Sequence, residues 1–137
     1  MIRLVTVTFV LIALAPIGAS ATSTTCLGSN PGVGHVHVAG MASSGQATRY
    51  HLVGTVTNLG TVGQPSNVLQ FVDIWHDGQK VDSRGIPPIA LGGHYTFSYD
   101  WLRASDAGSG TTTLIFRLRM VSGSNCNPSN SVSIIRF

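Results

Sequence analysis

Residues 94–101 read HYTFSYDW, with a ring at every second position: Tyr95, Phe97, Tyr99 and Trp101. Side chains that alternate with period two lie on one side of a strand, so these four rings share a face and Thr96, Ser98 and Asp100 share the other. Such a face serves either as the buried side of a sheet or as an exposed stacking platform for a sugar. Residues 111–121, TTTLIFRLRMV, favour burial: Leu114, Phe116, Leu118 and Met120 form one stripe, with Thr113, Arg117 and Arg119 opposite. Two apolar stripes of this kind fit together as the facing inner layers of a sandwich. Burying each ring stabilises by about 1.5–3 kcal/mol.

The other apolar segments are also short, alternate with period two, and end in Gly, Pro, Asn or Ser turns. Strands are expected at 33–41, 49–57, 67–76, 79–84, 94–102, 112–121 and 130–136. No segment holds a helical period for three turns. Asp77-Gly78 sits between two strands as a hairpin signal, and Pro87-Pro88, which donates no ladder hydrogen bond, belongs in a connection or at a sheet edge. Ala107-Gly108-Ser109-Gly110 reads as a flexible loop. About seven short strands in roughly a hundred residues predict an all-β antiparallel β-sandwich.

The first 21 residues, MIRLVTVTFVLIALAPIGASA, carry one charge at Arg3, an apolar run over 4–14 and a small-x-small ending at Ala19-Ser20-Ala21. That is the pattern of a cleaved signal peptide; the alternative is a retained membrane anchor, for which the run is short of the about 20 residues a span needs. Cleavage leaves one sandwich domain over 22–137, with no membrane segment, in the periplasm, at the cell surface or in the medium. Cys26 and Cys126 are then expected to form a disulfide in an oxidising compartment, a free reactive thiol being the alternative. The formal net charge is +3 at neutral pH, and the positive residues never form a run. Nucleic acid is therefore not an expected partner.

Little here reads as chemistry. No serine lies in a Gly-x-Ser-x-Gly elbow, and the five acidic residues fall at turns or on outward strand positions. No catalytic residue and no cofactor is expected. His35 and His37, in GVGHVHVAG, lie on one side of a strand, and two such imidazoles bind zinc or copper only with a further ligand. His51 is the one candidate, and a plain polar strand face is the expected reading, with no metal.

The segment SNVLQFVDIWHDG, residues 66–78, departs from simple amphipathicity. Val68, Val72 and Ile74 make one apolar face, yet Leu69, Phe71 and Trp75 make most of the other. A sheet exposed on one side should be polar there. Leu69, Phe71 and Trp75, flanked by Arg117 and Arg119, are therefore the candidate contact face. The alternative is that a loop or the N-terminal coil covers them.

Set in order, VGTVTNLG, VDIWHDGQKV, IPPIALGGHYTFSYDW and TTTLIFRLRMV resemble the CARDB domain, the cell-adhesion-related immunoglobulin-like domain of bacteria. Asn58-Leu59-Gly60 matches the family's turn after its second strand, Ile74 to Gly78 its strand running into Asp-Gly, and Ile89, Gly92 and Trp101 its apolar stretch, Gly turn and Trp-ended strand. The likeness covers 50–121. Leu91 stands where the family usually has Pro, and SGSNCNPSN replaces an acidic segment, so no metal role is carried over. The resemblance implies adhesion or accessory binding at the cell surface. The partner is then a protein or a glycan; self-association into a structural subunit and carbohydrate binding through exposed rings are the alternative functions.

Overall fold

The computed structural model describes residues 26–104 and 110–137. The expected signal peptide, and most of the loop expected at 107–110, lie outside the described residues. Eight strands form: β1 (Pro31–Val33), β2 (His37–Ser44), β3 (Ala47–Asn58), β4 (Leu69–His76), β5 (Gln79–Ile86), β6 (His94–Ala104), β7 (Thr113–Ser122) and β8 (Val132–Arg136). They make two antiparallel sheets. In one, β1 and β2 share an edge of β3 and β6 takes the other; the second runs β5-β4-β7-β8. The expected antiparallel sandwich is what the chain builds.

The alternating rings of β6 face inward. Phe97, Tyr99 and Tyr95 stand directly across from Gly54, Leu52 and Val56 of β3, all three of which are buried. Phe97 is 5% exposed and packs on Phe116 of the opposite sheet with ring centroids 5.8 Å apart. Tyr99 meets the same Phe116 edge-on at 6.3 Å, and Trp101 is partly buried against the core. Only Tyr95, near the strand end, stays 39% exposed. The inner stripe of β7, Leu114, Phe116 and Leu118, is buried as expected. Nearby, Arg103 points inward and lies over the rings of Tyr50 and Phe137, at 4.9 and 5.4 Å, while bonding Thr112.

The turns carry out their local chemistry. Asp77 and Gly78 both adopt positive φ, 49° and 77°, the conformation of a tight hairpin turn whose twist matches the strands. Asn58 is buried and stitches the end of β3: its Oδ1 accepts from the Asn30 and Gly60 amides, at 3.0 and 3.1 Å, and its Nδ2 donates to the Val62 carbonyl at 2.8 Å. Cys26 and Cys126 are joined, with Cα atoms 5.6 Å apart, and tie the start of the described chain to the β7–β8 connection. No helix among the described residues is long and apolar enough to cross a membrane.

The single strand expected at 33–41 is two. Residues 34–36 bow out of the ladder, because three of them span the gap that two residues of β3 fill between Val56 and Val53. The extra residue turns Val36 fully into the core, and its amide donates to Ser133 Oγ at 3.3 Å instead of to the sheet. At the other end, 128–130 form a 3-10 turn capped by Asn127, so β8 begins at Val132 and not at 130.

Candidate contact face

On β4 the alternation places Gln70, Val72 and Ile74 in the core, with Phe71, Asp73 and Trp75 on the outer side. Gln70, a polar residue facing inward, is satisfied by the Gln64 amide on both of its ends and by the Pro87 carbonyl. Val68 is buried just before the strand begins. Antiparallel pairing with β7 sets Arg119 directly across from Phe71, Arg117 from Asp73, and Ile115 from Trp75. Beyond β7, Val132 and Ile134 of β8 stand across from Arg117 and Ile115. All five residues singled out from sequence therefore lie on one face of the β5-β4-β7-β8 sheet.

Their arrangement is specific. The Arg119 guanidinium sits 5.0 Å from the Phe71 ring centroid and the Arg117 guanidinium 5.8 Å from that of Trp75. These are cation–π distances. The two rings are consequently half-buried beneath arginine stems instead of projecting into solvent. Leu69, 49% exposed, and Ile134, 56% exposed, are open apolar side chains on the same face. The arginines thus cover the two rings.

Under Arg119 lies a carboxylate that sequence reasoning did not single out. Asp73 is 4% exposed although it points to the outer side. Arg119 Nε donates to its Oδ2 at 2.6 Å and Nη2 to its Oδ1 at 3.2 Å, and Ser83 Oγ donates to Oδ1 at 2.6 Å. The Arg119 hydrogen bonds hold the Asp73 carboxyl below the usual carboxylate range, outweighing the upward pull of burial. The same bonds raise Arg119. Asp73 thus neutralises Arg119 and fixes it over Phe71, while Arg117 has no carboxylate partner among the described residues. The face is apolar with a basic excess. Trp75 Nε1 is buried beneath it with no acceptor.

The histidines do not converge. His35 and His37 stack with centroids 6.5 Å apart on the outer side of the other sheet, and His51 Nδ1 is bound to Asp100 Oδ1 at 2.6 Å. Among the described residues no group of three or more metal-ligating side chains comes together. Val132, Ile134 and Ile115 complete the contact face and were missed. Their sequence signal was alternation, with Ser133 and Ile135 the inward residues of β8 and Leu114 and Phe116 those flanking Ile115 on β7.

No family model matches the chain, nor does any curated protein or solved structure.

Proposed function

We propose that this protein is a secreted, non-catalytic immunoglobulin-like domain that serves adhesion or accessory binding at the cell surface, and that it binds through the outer face of the β5-β4-β7-β8 sheet. The observation that carries the reading is the combination on that face: Leu69, Phe71, Trp75, Ile115, Val132 and Ile134 are apolar where a solvated sheet should be polar, and Arg117 and Arg119 lie among them. Interfaces concentrate energy in aromatic and arginine side chains ringed by apolar neighbours, which is this composition. The disulfide is compatible with an exported protein. The CARDB resemblance supports the same reading through the turns and core positions quoted above.

The partner that fits is a protein surface with apolar and acidic groups. Exposed aliphatic side chains such as Ile134 and Leu69 match another protein better than a sugar, which stacks on flat, accessible rings. The row of rings on β6, the basis of the carbohydrate alternative, faces the opposite sheet. Hydroxyl-radical footprinting of the protein, free and bound to an envelope fraction of the producing cells, tests the reading. Leu69, Trp75 and Ile134 should lose labelling on binding. Protection confined to β6, or to the outer side of β3, would overturn the assignment.

A further inference from the structure

A sheet edge exposes a row of main-chain N–H and C=O groups that pairs with any strand brought alongside, and proteins blunt such edges with charges, prolines, bulges or short strands. Among the described residues three of the four edges are blunted. The β1–β2 edge is broken at 34–36 and shifts register again at Ala39. β5 carries Lys80, Asp82 and Arg84, with Val81 as an extra residue where its register with β4 shifts. β8 is 5 residues long.

β6 carries two charges, but each is held within its own copy, Asp100 by His51 of β3 and Arg103 by Thr112, and the strand has no bulge. It is 11 residues long, has no proline or lysine, and keeps one unbroken register with β3 from His94 to Ala104. Its other edge lies along an open cleft of about 610 Å³ between the sheets, lined by Asp82, Arg84 and Gly85 of β5 and by Tyr95, Phe97 and Tyr99.

We infer that β6 pairs with β6 of a second copy of this chain, antiparallel about a two-fold axis at Tyr99, and so joins the two β3-containing sheets edge to edge. The side-chain pattern of β6 is complementary to itself in that register, which is the reason for choosing a second copy over a foreign strand. With Tyr99 at the axis the strand pairs along its whole length. Phe97 meets the second copy's Trp101, Tyr99 meets its own equivalent, and Ser98 meets the second copy's Asp100. Cross-strand aromatic pairs stabilise a ladder, and no like charges stand opposite each other. Moving the axis to Asp100 sets two carboxylates face to face. A two-fold contact closes on itself, so the product is a dimer and not a filament. The surface belongs to the other sheet from the proposed contact face, and the two can fail independently.

The experiment is sedimentation equilibrium of the protein over a wide concentration range, with Ser98→Asp and Ser98→Lys as variants. Ser98 is exposed on the outer side of β6, so both variants should fold. The wild-type mass should climb from monomer to dimer. Ser98→Asp opposes Asp100 twice across the axis and should weaken the dimer by at least about tenfold, whereas Ser98→Lys, facing the same carboxylates, should match or exceed wild type. In the dimer, alternate β6 amides should also exchange more slowly as concentration rises. A monomer at every concentration would overturn the inference. So would equal weakening by both variants, or a dimer that survives Ser98→Asp and is lost in Leu69→Ser with Ile134→Ser.

Discussion

Gly54 is the position at which the inward reading of β6 is most exposed to test. It lies on β3 directly across from Phe97, and a Cβ added there would stand 2.6 Å from Phe97 Cζ and 2.8 Å from Val36 Cγ2. Neither neighbour has free space to move into: Val36 is fully buried, and the Phe97 ring is backed by Phe116. In an unconstrained strand, Gly→Ala gains about 0.5–1 kcal/mol through backbone entropy. Overpacking a filled core costs about 1–3 kcal/mol. Gly54→Ala should therefore be destabilising on balance, by about 1–2 kcal/mol, or a fall of roughly 4–16 °C in Tm for a domain of this size. Phe97→Leu alone should also destabilise, by leaving a cavity. Combined, the two should cost less than the sum of the singles, with a coupling of about 1 kcal/mol or more, because the alanine methyl occupies space that the ring vacated. Urea denaturation of the four proteins measures the cycle. A Gly54→Ala variant as stable as wild type, or strictly additive costs, would refute the placement of Phe97 over Gly54.

Two further outcomes follow from named groups. Asp73→Asn should cost about 1–2 kcal/mol near neutral pH by weakening the charge-assisted bonds from Arg119. Because the folded-state carboxyl is held low, its contribution is present above the unfolded value and lost as pH falls toward the folded one. The gap between wild type and variant should thus close below about pH 4, and a gap that widens with acidification would contradict the Arg119 assignment. Mass spectrometry of the non-reduced protein should show two hydrogens fewer than the dithiol, and reduction should lower stability by up to about 4–5 kcal/mol, the chain-entropy figure for a loop near 100 residues; two free thiols would contradict the Cys26–Cys126 link.

The strands of the core were legible because period-two alternation is a local property. HYTFSYDW and LIFRLRM each declare an inner side without reference to any partner, and the structure buries those sides. Asp77-Gly78 was legible for a similar reason, since the turn type needs positive φ at adjacent residues. The break at 34–36 was not, because GVGHVHVAG alternates well enough as one strand; the pull of Val36 into the core depends on what β3 and Ser133 place beside it. On the contact face, Leu69, Phe71 and Trp75 betrayed themselves as apolar residues on the wrong side of β4. The burial of Asp73 did not, because an aspartate at an outward position is ordinary until cross-strand register brings Arg119 over it. Arg117 and Arg119 looked like flanking charges in sequence, and only pairing reveals them as the cover of the two rings.

The measurement that bears most directly on the contact face is saturable binding of the protein to the envelope fraction, compared between wild type and a variant carrying Leu69→Ser, Ile134→Ser and Arg117→Gln, with thermal melting of both. All three side chains are exposed, so the variant should melt within a few degrees of wild type, as surface substitutions usually do. Its binding should be lost, since the open apolar side chains and the unneutralised cation are removed together. Binding equal to wild type in a variant that melts normally would contradict the face as the site of contact; a large fall in melting temperature would show these side chains already at work inside the monomer, and would contradict it as well.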